Sequence, residues 1–290
     1  GAKPPKYAGG SLAAGWIAAG KAGDCTRLRA MIGDGVDVNL KYASPSEQDE
    51  EDEEEDGGEG TALKYAAQRG HLDAVKLLLA SGAKADEKFG GGFEAGHETA
   101  LMHAARGGHL EIARILIAAK AAVPAKDQSG KTVLHYAAEG GSAGMIELLI
   151  KHGASVETKS KSGTSPLMEA ASAGHAEAIA ALVKAGADSN RFTNGMTALW
   201  HAASSGHVAA VQALLDAGAD PKAGDKMFSP LDAASSEGHK NVVNLLLKHG
   251  KSGKKAASKK PEPPDGAALA NAALMGQVDI VRTLLESGAD

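Results

Sequence analysis

Residues 61–83 read TALKYAAQRGHLDAVKLLLASGA, and the fold turns on whether that stretch is unique. Residues 99–121 read TALMHAARGGHLEIARILIAAKA, and residues 132–154 read TVLHYAAEGGSAGMIELLIKHGA. Further copies begin at Ser165, Thr197 and Ser229. Each opens on Thr or Ser, places Leu two residues later, carries a pair of small residues and ends in an apolar run. Two looser copies flank the six, one around Trp16 and one from Ala267.

The chemistry of the unit follows from its residues. Thr or Ser before the first Leu predicts an N-cap, its side-chain oxygen taking an orphan backbone N–H. Pro166 and Pro230 fall at the first helical position, where the missing N–H costs nothing. Small pairs such as Ala66-Ala67 and Ala202-Ala203 let an antiparallel second helix approach, and Val75, Leu78 and Leu79 recur at helical spacing. Gly ends the second helix as a C-cap. No unit this small buries an apolar face alone, so stability must come from stacking.

The anchors Trp16, Leu63, Leu101, Leu134, Leu167, Leu199, Leu231 and Leu269 are spaced by 47, 38, 33, 33, 32, 32 and 38 residues. A base period near 33, with the T-x-L, A-A, G-H, L-L and G-A-D elements in register, resembles the ankyrin-repeat family. The resemblance implies an all-α solenoid of eight helix-turn-helix repeats joined by hairpin-like loops. It makes residues 1–10 a lead-in and 11–290 one repeat domain, with insertions at 43–59, 87–97 and 251–264.

The five residues Gly140-Gly141-Ser142-Ala143-Gly144 fit the G-x-S-x-G of a serine nucleophile elbow. That elbow joins a strand to a helix. Ser142 instead takes the place held by His71, His109, His175, His207 and His239 in other copies, between two helices. It is therefore expected to be structural. The five histidines recur once per repeat, about 10 Å apart, too far for one metal. They are expected to hydrogen-bond between adjacent repeats.

His97-Glu98 lacks the second His of a zinc-protease helix, since position 101 is Leu. The HGKS at 249–252 lacks the upstream Gly of a phosphate loop. Gly90-x-Gly92-x-x-Ala95 has no preceding strand, so no dinucleotide site is expected. Asn190 resembles asparagines that oxygen-sensing hydroxylases modify in this family, but a turn-forming role is expected. No catalytic residue, cofactor or metal is expected.

Composition narrows the class further. One cysteine, Cys25, rules out an internal disulfide framework and suggests a reducing compartment, so a cytoplasmic protein is expected. No apolar run approaches the ~20 residues of a membrane span. The chain begins without Met, as a processed chain or fragment would. Residues 47–59 hold ten of the 36 acidic side chains, a run that should stay solvated. The rest is only slightly basic, so nucleic acid is not an expected partner. The segment KSGKKAASKKPEPP is read as a basic linker.

Family resemblance implies a recognition face built from loop tips and first helices. The residues placed there are Arg69, Arg106, Lys131, Glu139, Lys226 and Glu237. All four Phe (89, 93, 192 and 228) lie in connections, and Phe192, Met196, Met227 and Phe228 with Trp200 form a candidate partner site. Leu274 and Met275 replace polar residues of other copies, which implies that another repeat, domain or chain covers that end. The leading expectation is a non-enzymatic interaction scaffold binding a protein partner. The alternative is a regulatory or targeting module of a larger enzyme or channel.

Overall fold

The computed structural model describes residues 9–42, 60–89, 96–223, 229–252 and 266–289. The acidic insertion 43–59, residues 90–95 with Phe93, the segment holding Lys226, Met227 and Phe228, and most of the Lys/Pro-rich insertion lie outside these. Two compact units emerge, Gly1–Ser155 and Val156–Asp290.

The first unit holds α1 (Gly9–Ala22), α2 (Cys25–Gly33), α3 (Ala62–Gln68), α4 (Leu72–Ala80), α5 (Ala100–Arg106), α6 (Leu110–Ala118), α7 (Val133–Glu139) and α8 (Ala143–Lys151). A two-residue ladder of β1 (Lys88–Phe89) and β2 (Glu98–Thr99) precedes α5. The second unit holds α9 (Pro166–Ser172), α10 (Ala176–Lys184), α11 (Ala198–Ser204), α12 (Val208–Asp216), α13 (Pro230–Ser236), α14 (Lys240–Ser252), α15 (Gly266–Leu274) and α16 (Val278–Glu286). Its ladder is β3 (Phe192–Thr193) with β4 (Met196–Thr197). Among the described residues there are thus sixteen helices, paired as eight hairpins.

Within each unit the first helices pack side by side in one layer and the second helices in another. The pairing explains the composition of the short first helices. In α3 every residue from Ala62 to Ala67 is buried, and in α5 every residue from Ala100 to Ala105. A seven-residue helix with a neighbour on each side has room only for small residues on those sides, hence the alanine pairs. Second helices carry the larger payload, with Val75, Leu78, Ile112, Leu116, Ile146 and Leu149 almost wholly buried. Each such side chain contributes about 1.5–3 kcal/mol by leaving water.

Hydrogen bonds hold the register. The hydroxyls of Thr61, Thr99, Ser165, Thr197 and Ser229 accept the N–H of Lys64, Met102, Met168, Trp200 and Asp232. Each such cap contributes about 1 kcal/mol. At Thr132 a histidine closes the box, with His135 Nδ1 accepting the Thr132 N–H at 3.0 Å. The Gly-His rings bridge repeats as the sequence led us to expect. Nε2 of His71, His109, His207 and His239 donates to the carbonyl of Lys21, Gln68, Ser172 and Ser204 at 2.8, 3.0, 3.0 and 2.9 Å.

Loops are joined by side-chain amides. Asn190 donates to the Gly218 carbonyl at 3.3 Å and accepts the Asp220 N–H at 2.7 Å. Asn39 does the same with Gly82 and Lys84. Asn190 is therefore a staple between successive loops.

Ser142 breaks the histidine series, and the chain adjusts around it. Its hydroxyl caps α8 by accepting the Met145 N–H at 3.3 Å, after a helix and a turn rather than after a strand. A serine is too short to take the histidine's role, and here the backbones close in. A Cβ at Gly140 would lie 2.0 Å from the Arg106 carbonyl oxygen. The first glycine of the apparent nucleophile motif is thus required by close approach.

One residue departs from the pattern at the opposite end of a helix. The turn after the second helix uses Gly35, Gly82, Gly153, Gly186, Gly218 and Gly288, all at φ between 83° and 96°. After α6 the same turn holds Lys120 at φ 69°. A side chain in this left-handed region costs about 1–2 kcal/mol.

Replacing Gly140 by Ala should cost about 1–3 kcal/mol, because the added methyl must push α5 and α7 apart. Gly144→Ala is the control. Its Cβ would meet nothing nearer than 4.0 Å, and removing a helical glycine should stabilise by about 0.5–1 kcal/mol. Urea unfolding of both variants checks the opposite signs.

Candidate interaction surface

The first unit gathers a polar cluster where two loops meet the ends of α5 and α7. Glu98 comes from β2, His103 and Arg106 from α5, and Tyr136 and Glu139 from α7. Asp127 and Lys131 flank a tight turn in the following loop, whose Lys126 and Thr132 form an isolated bridge. Tyr136 is buried, and its hydroxyl lies 2.7 Å from Glu98 Oε1 and 2.7 Å from Asp127 Oδ2. One phenolic hydrogen can serve only one carboxylate, so each acid needs donors of its own. Asp127 has the Lys131 N–H at 2.7 Å and the Ser129 hydroxyl at 2.9 Å. Glu98 has His103, whose Nε2 lies 2.9 Å from Oε2.

Protonation follows from these contacts. Burial alone would raise the Glu98 carboxyl, but His103, the Tyr136 hydroxyl and Arg106 outweigh it and hold the pKa at about 2. Burial pushes the His103 imidazole below its usual 6.5, and Lys64 and Arg106 add to this against the opposing pull of Glu98. The Tyr136 phenol is pushed up, because burial and both carboxylates oppose a phenolate.

Above the buried layer lies a charged rim. The Arg106 guanidinium sits 4.7 Å from the Tyr136 ring centre. It also pairs with Glu139, Nε to Oε1 at 3.2 Å, and Lys131 Nζ approaches the other carboxylate oxygen at 3.7 Å. Of the charged residues expected at the tips, the structure therefore brings Arg106, Lys131 and Glu139 into one network. Arg69 is exposed at the end of α3, and Glu237 is exposed at the end of α13. Glu98, His103, Asp127 and Tyr136 are the members that sequence reasoning missed. A signal existed: an aromatic or imidazole recurs at one place of the first helix, as Tyr65, His103, Tyr136 and His201.

The second unit carries the apolar candidates. Asn194 and Gly195 take positive φ, 52° and 82°, and close the β3–β4 hairpin. The tip is pinned. Asn194 donates to the Ser162 carbonyl at 3.3 Å, and Thr193 lies against Gly163, where any Cβ would meet it at 2.2 Å. Phe192 pairs with Thr197 and Thr193 with Met196. Cross-strand partners share a face, so Phe192 and Met196 leave the hairpin on opposite sides. Phe192 is 64% exposed, whereas Met196 is half-buried. Trp200 is half-buried and meets His201 edge-on, with ring centres 5.2 Å apart. At the last hairpin Leu274 and Met275 are exposed, as are Val278 and Leu285.

The polar atoms of the first cluster are turned on one another, and those of the second are few. A family model for ankyrin repeats matches this chain in overlapping blocks, 16–127, 63–160, 120–193, 156–225 and 188–256. The chain belongs to the ankyrin-repeat family. Among solved structures it is similar to the human ASB11 ankyrin repeat domain, with 27% identity and a TM-score of 0.65 over 80% of this chain and 99% of that one. No curated protein matches it. Ankyrin repeats are in general protein-interaction modules, and the fold is typically non-catalytic. No helix among the described residues is long and apolar enough to cross a membrane.

The buried cluster makes stability pH-dependent with a definite sign. Stability rises with pH wherever the unfolded chain binds more protons. His103 is depressed in the fold, so stability falls as pH drops below 6.5. Glu98 is also depressed, so a second loss runs from 4.5 down towards 2. His103→Gln should flatten the first limb by up to one proton's slope, about 1.4 kcal/mol per pH unit, and Glu98→Gln the second. Urea titrations between pH 3 and 8 would show whether the two limbs separate in this way.

Proposed function

We propose that this ankyrin-repeat chain is a non-enzymatic scaffold that holds a protein partner on the concave face formed by loop tips and first helices. The observation that carries this reading is Phe192, an aromatic ring 64% exposed on a hairpin whose turn is pinned to the preceding loop. A rigid exposed ring loses little entropy on binding, which is why such residues dominate interfaces. Trp200, half-buried on the first helix that follows the hairpin, would extend the apolar part. In the first unit Arg69, Arg106 and Lys131 would offer a charged patch of that unit's own.

Phe192→Ser should weaken capture of the partner by about 2 kcal/mol or more, as for a hot spot. Because the ring is already exposed, the melting temperature should stay within about 1 °C. Quantitative affinity purification of wild-type and variant protein, with melting curves on both, tests the reading. A stability loss accompanied by an unchanged set of bound proteins would refute it.

A second observation favours the reading of a module within a larger assembly. Leu274 is 83% exposed, and Met275, Val278 and Leu285 surround it on the last hairpin. The residues equivalent to Leu285 in earlier hairpins, Leu79 and Ile117 among them, are partly covered. We propose that another domain or chain covers this end. Leu274→Gln with Leu285→Gln should leave the isolated chain's stability within about 0.5 kcal/mol, as surface changes do, yet release that neighbour. Retention of every co-purifying chain by the double variant would count against it.

A further inference from the structure

A groove of about 310 Å³ runs between α6 and α8 on the layer of second helices, away from the first-helix layer of the same unit. Ile117, Ala118 and Leu148 line its apolar part, and Arg114, Lys120 and His152 supply three basic side chains. The groove is open, so it suits side chains presented by another surface better than an enclosed small molecule.

Lys120 is the second, independent sign. It occupies the left-handed turn position that is glycine after the other second helices whose turns are described. A Cβ at Gly35, Gly82 or Gly153 would meet nothing within 4 Å, so those turns have space for a side chain and still use glycine. Packing therefore gives no reason for a lysine at 120. Its ammonium has no partner among the described residues, so the strained backbone is not offset by an internal contact. What the position does provide is a cation at the rim of the groove. Among the described residues Arg114 is engaged only by Glu111 at 3.3 Å, an i,i+3 pair in which both side chains are more than half exposed. Such a pair is weak enough to be exchanged for an incoming carboxylate. His152 Nδ1 donates to the Leu148 carbonyl at 2.9 Å, which fixes the ring and leaves Nε2 as its remaining polar atom.

We propose that this groove is a second docking surface, and that its occupant is an acidic amphipathic helix of a protein partner. An aliphatic side chain of that helix would lie on Ile117 and Leu148, while flanking carboxylates meet Arg114 and Lys120. Charge complementarity selects this occupant, since the Arg114 guanidinium and the Lys120 ammonium flank an apolar floor.

The test uses a fluorescein-labelled 16-residue peptide built from Glu-Glu-Leu-Leu repeats, with fluorescence anisotropy as the readout on the full chain. Lys120→Gly is the informative variant, because it installs the residue used by the other repeats and should fold at least as well as wild type. Binding should weaken several-fold in Lys120→Gly and by about tenfold or more in Arg114→Glu, since truncating and reversing rim charges act on complementarity. The peptide with Lys for Glu should not bind, and Phe192→Ser should bind as wild type does. Equal affinity for wild type and Lys120→Gly would overturn the proposal. So would equal binding of the lysine peptide, loss of binding in Phe192→Ser, or no binding of the acidic peptide by about 1 mM.

Discussion

Each helix pair in this protein turns its apolar residues towards the next pair, so the burial that stabilises one repeat is lent by its neighbours. First helices of seven residues, such as α3 and α5, could not persist alone, because nucleating a helix costs more than so few hydrogen bonds return. They persist because a hydroxyl caps one end and a neighbour covers each side. The histidine bridges fix the spacing: an imidazole reaching back to a carbonyl in the previous repeat sets how far apart two hairpins stand. Where Ser142 replaces that ring, the spacing is set by backbone contact at Gly140 instead. The repeat can vary, but each variation must be matched across the same interface.

The Tyr136 cluster shows what a repeat array can do with buried polar groups. Two carboxylates from successive loops converge on one phenol, and each retains further donors. Leaving any of these groups unpaired would cost about 1–3 kcal/mol, so the arrangement stabilises only as a whole. Its consequence is positional. Loop tips that would otherwise depend on weak surface contacts are tied to α5 and α7, and the exposed Arg106 and half-buried Glu139 stand on a fixed base.

How much of this was legible in the sequence depends on the range of the interaction concerned. Caps, alanine pairs, turn glycines and the histidine bridges act within a repeat or between adjacent ones at constant spacing, so the period exposes them. The reading of Ser142 as structural rested on that register alone. Glu98 reads locally only as half of a zinc-protease motif, because nothing nearby tells that it meets Tyr136 across 38 residues of chain. Met196 was grouped with Phe192 by proximity in sequence, yet one step of strand register sends their side chains to opposite faces. Lys120 is visible in the sequence, as the AKA that stands where other copies have SGA, HGA or AGA. Its meaning needed the backbone angle.

That contrast gives a rule for reading such proteins. In a repeat array the packing requirement is stated many times over, so a residue that obeys it carries little information about function. Information lies where a copy departs from the pattern and packing does not explain the departure. Gly140 departs, but the Arg106 carbonyl explains it. Phe192 departs from the loops with Lys88, Lys126 and Lys159 by placing a ring in water, and the hairpin would close as well on a polar residue. Lys120 departs by accepting a left-handed backbone that its counterparts avoid. Where nothing among the described residues offsets a side chain kept against solvation or against backbone preference, we propose that its offsetting contact lies outside.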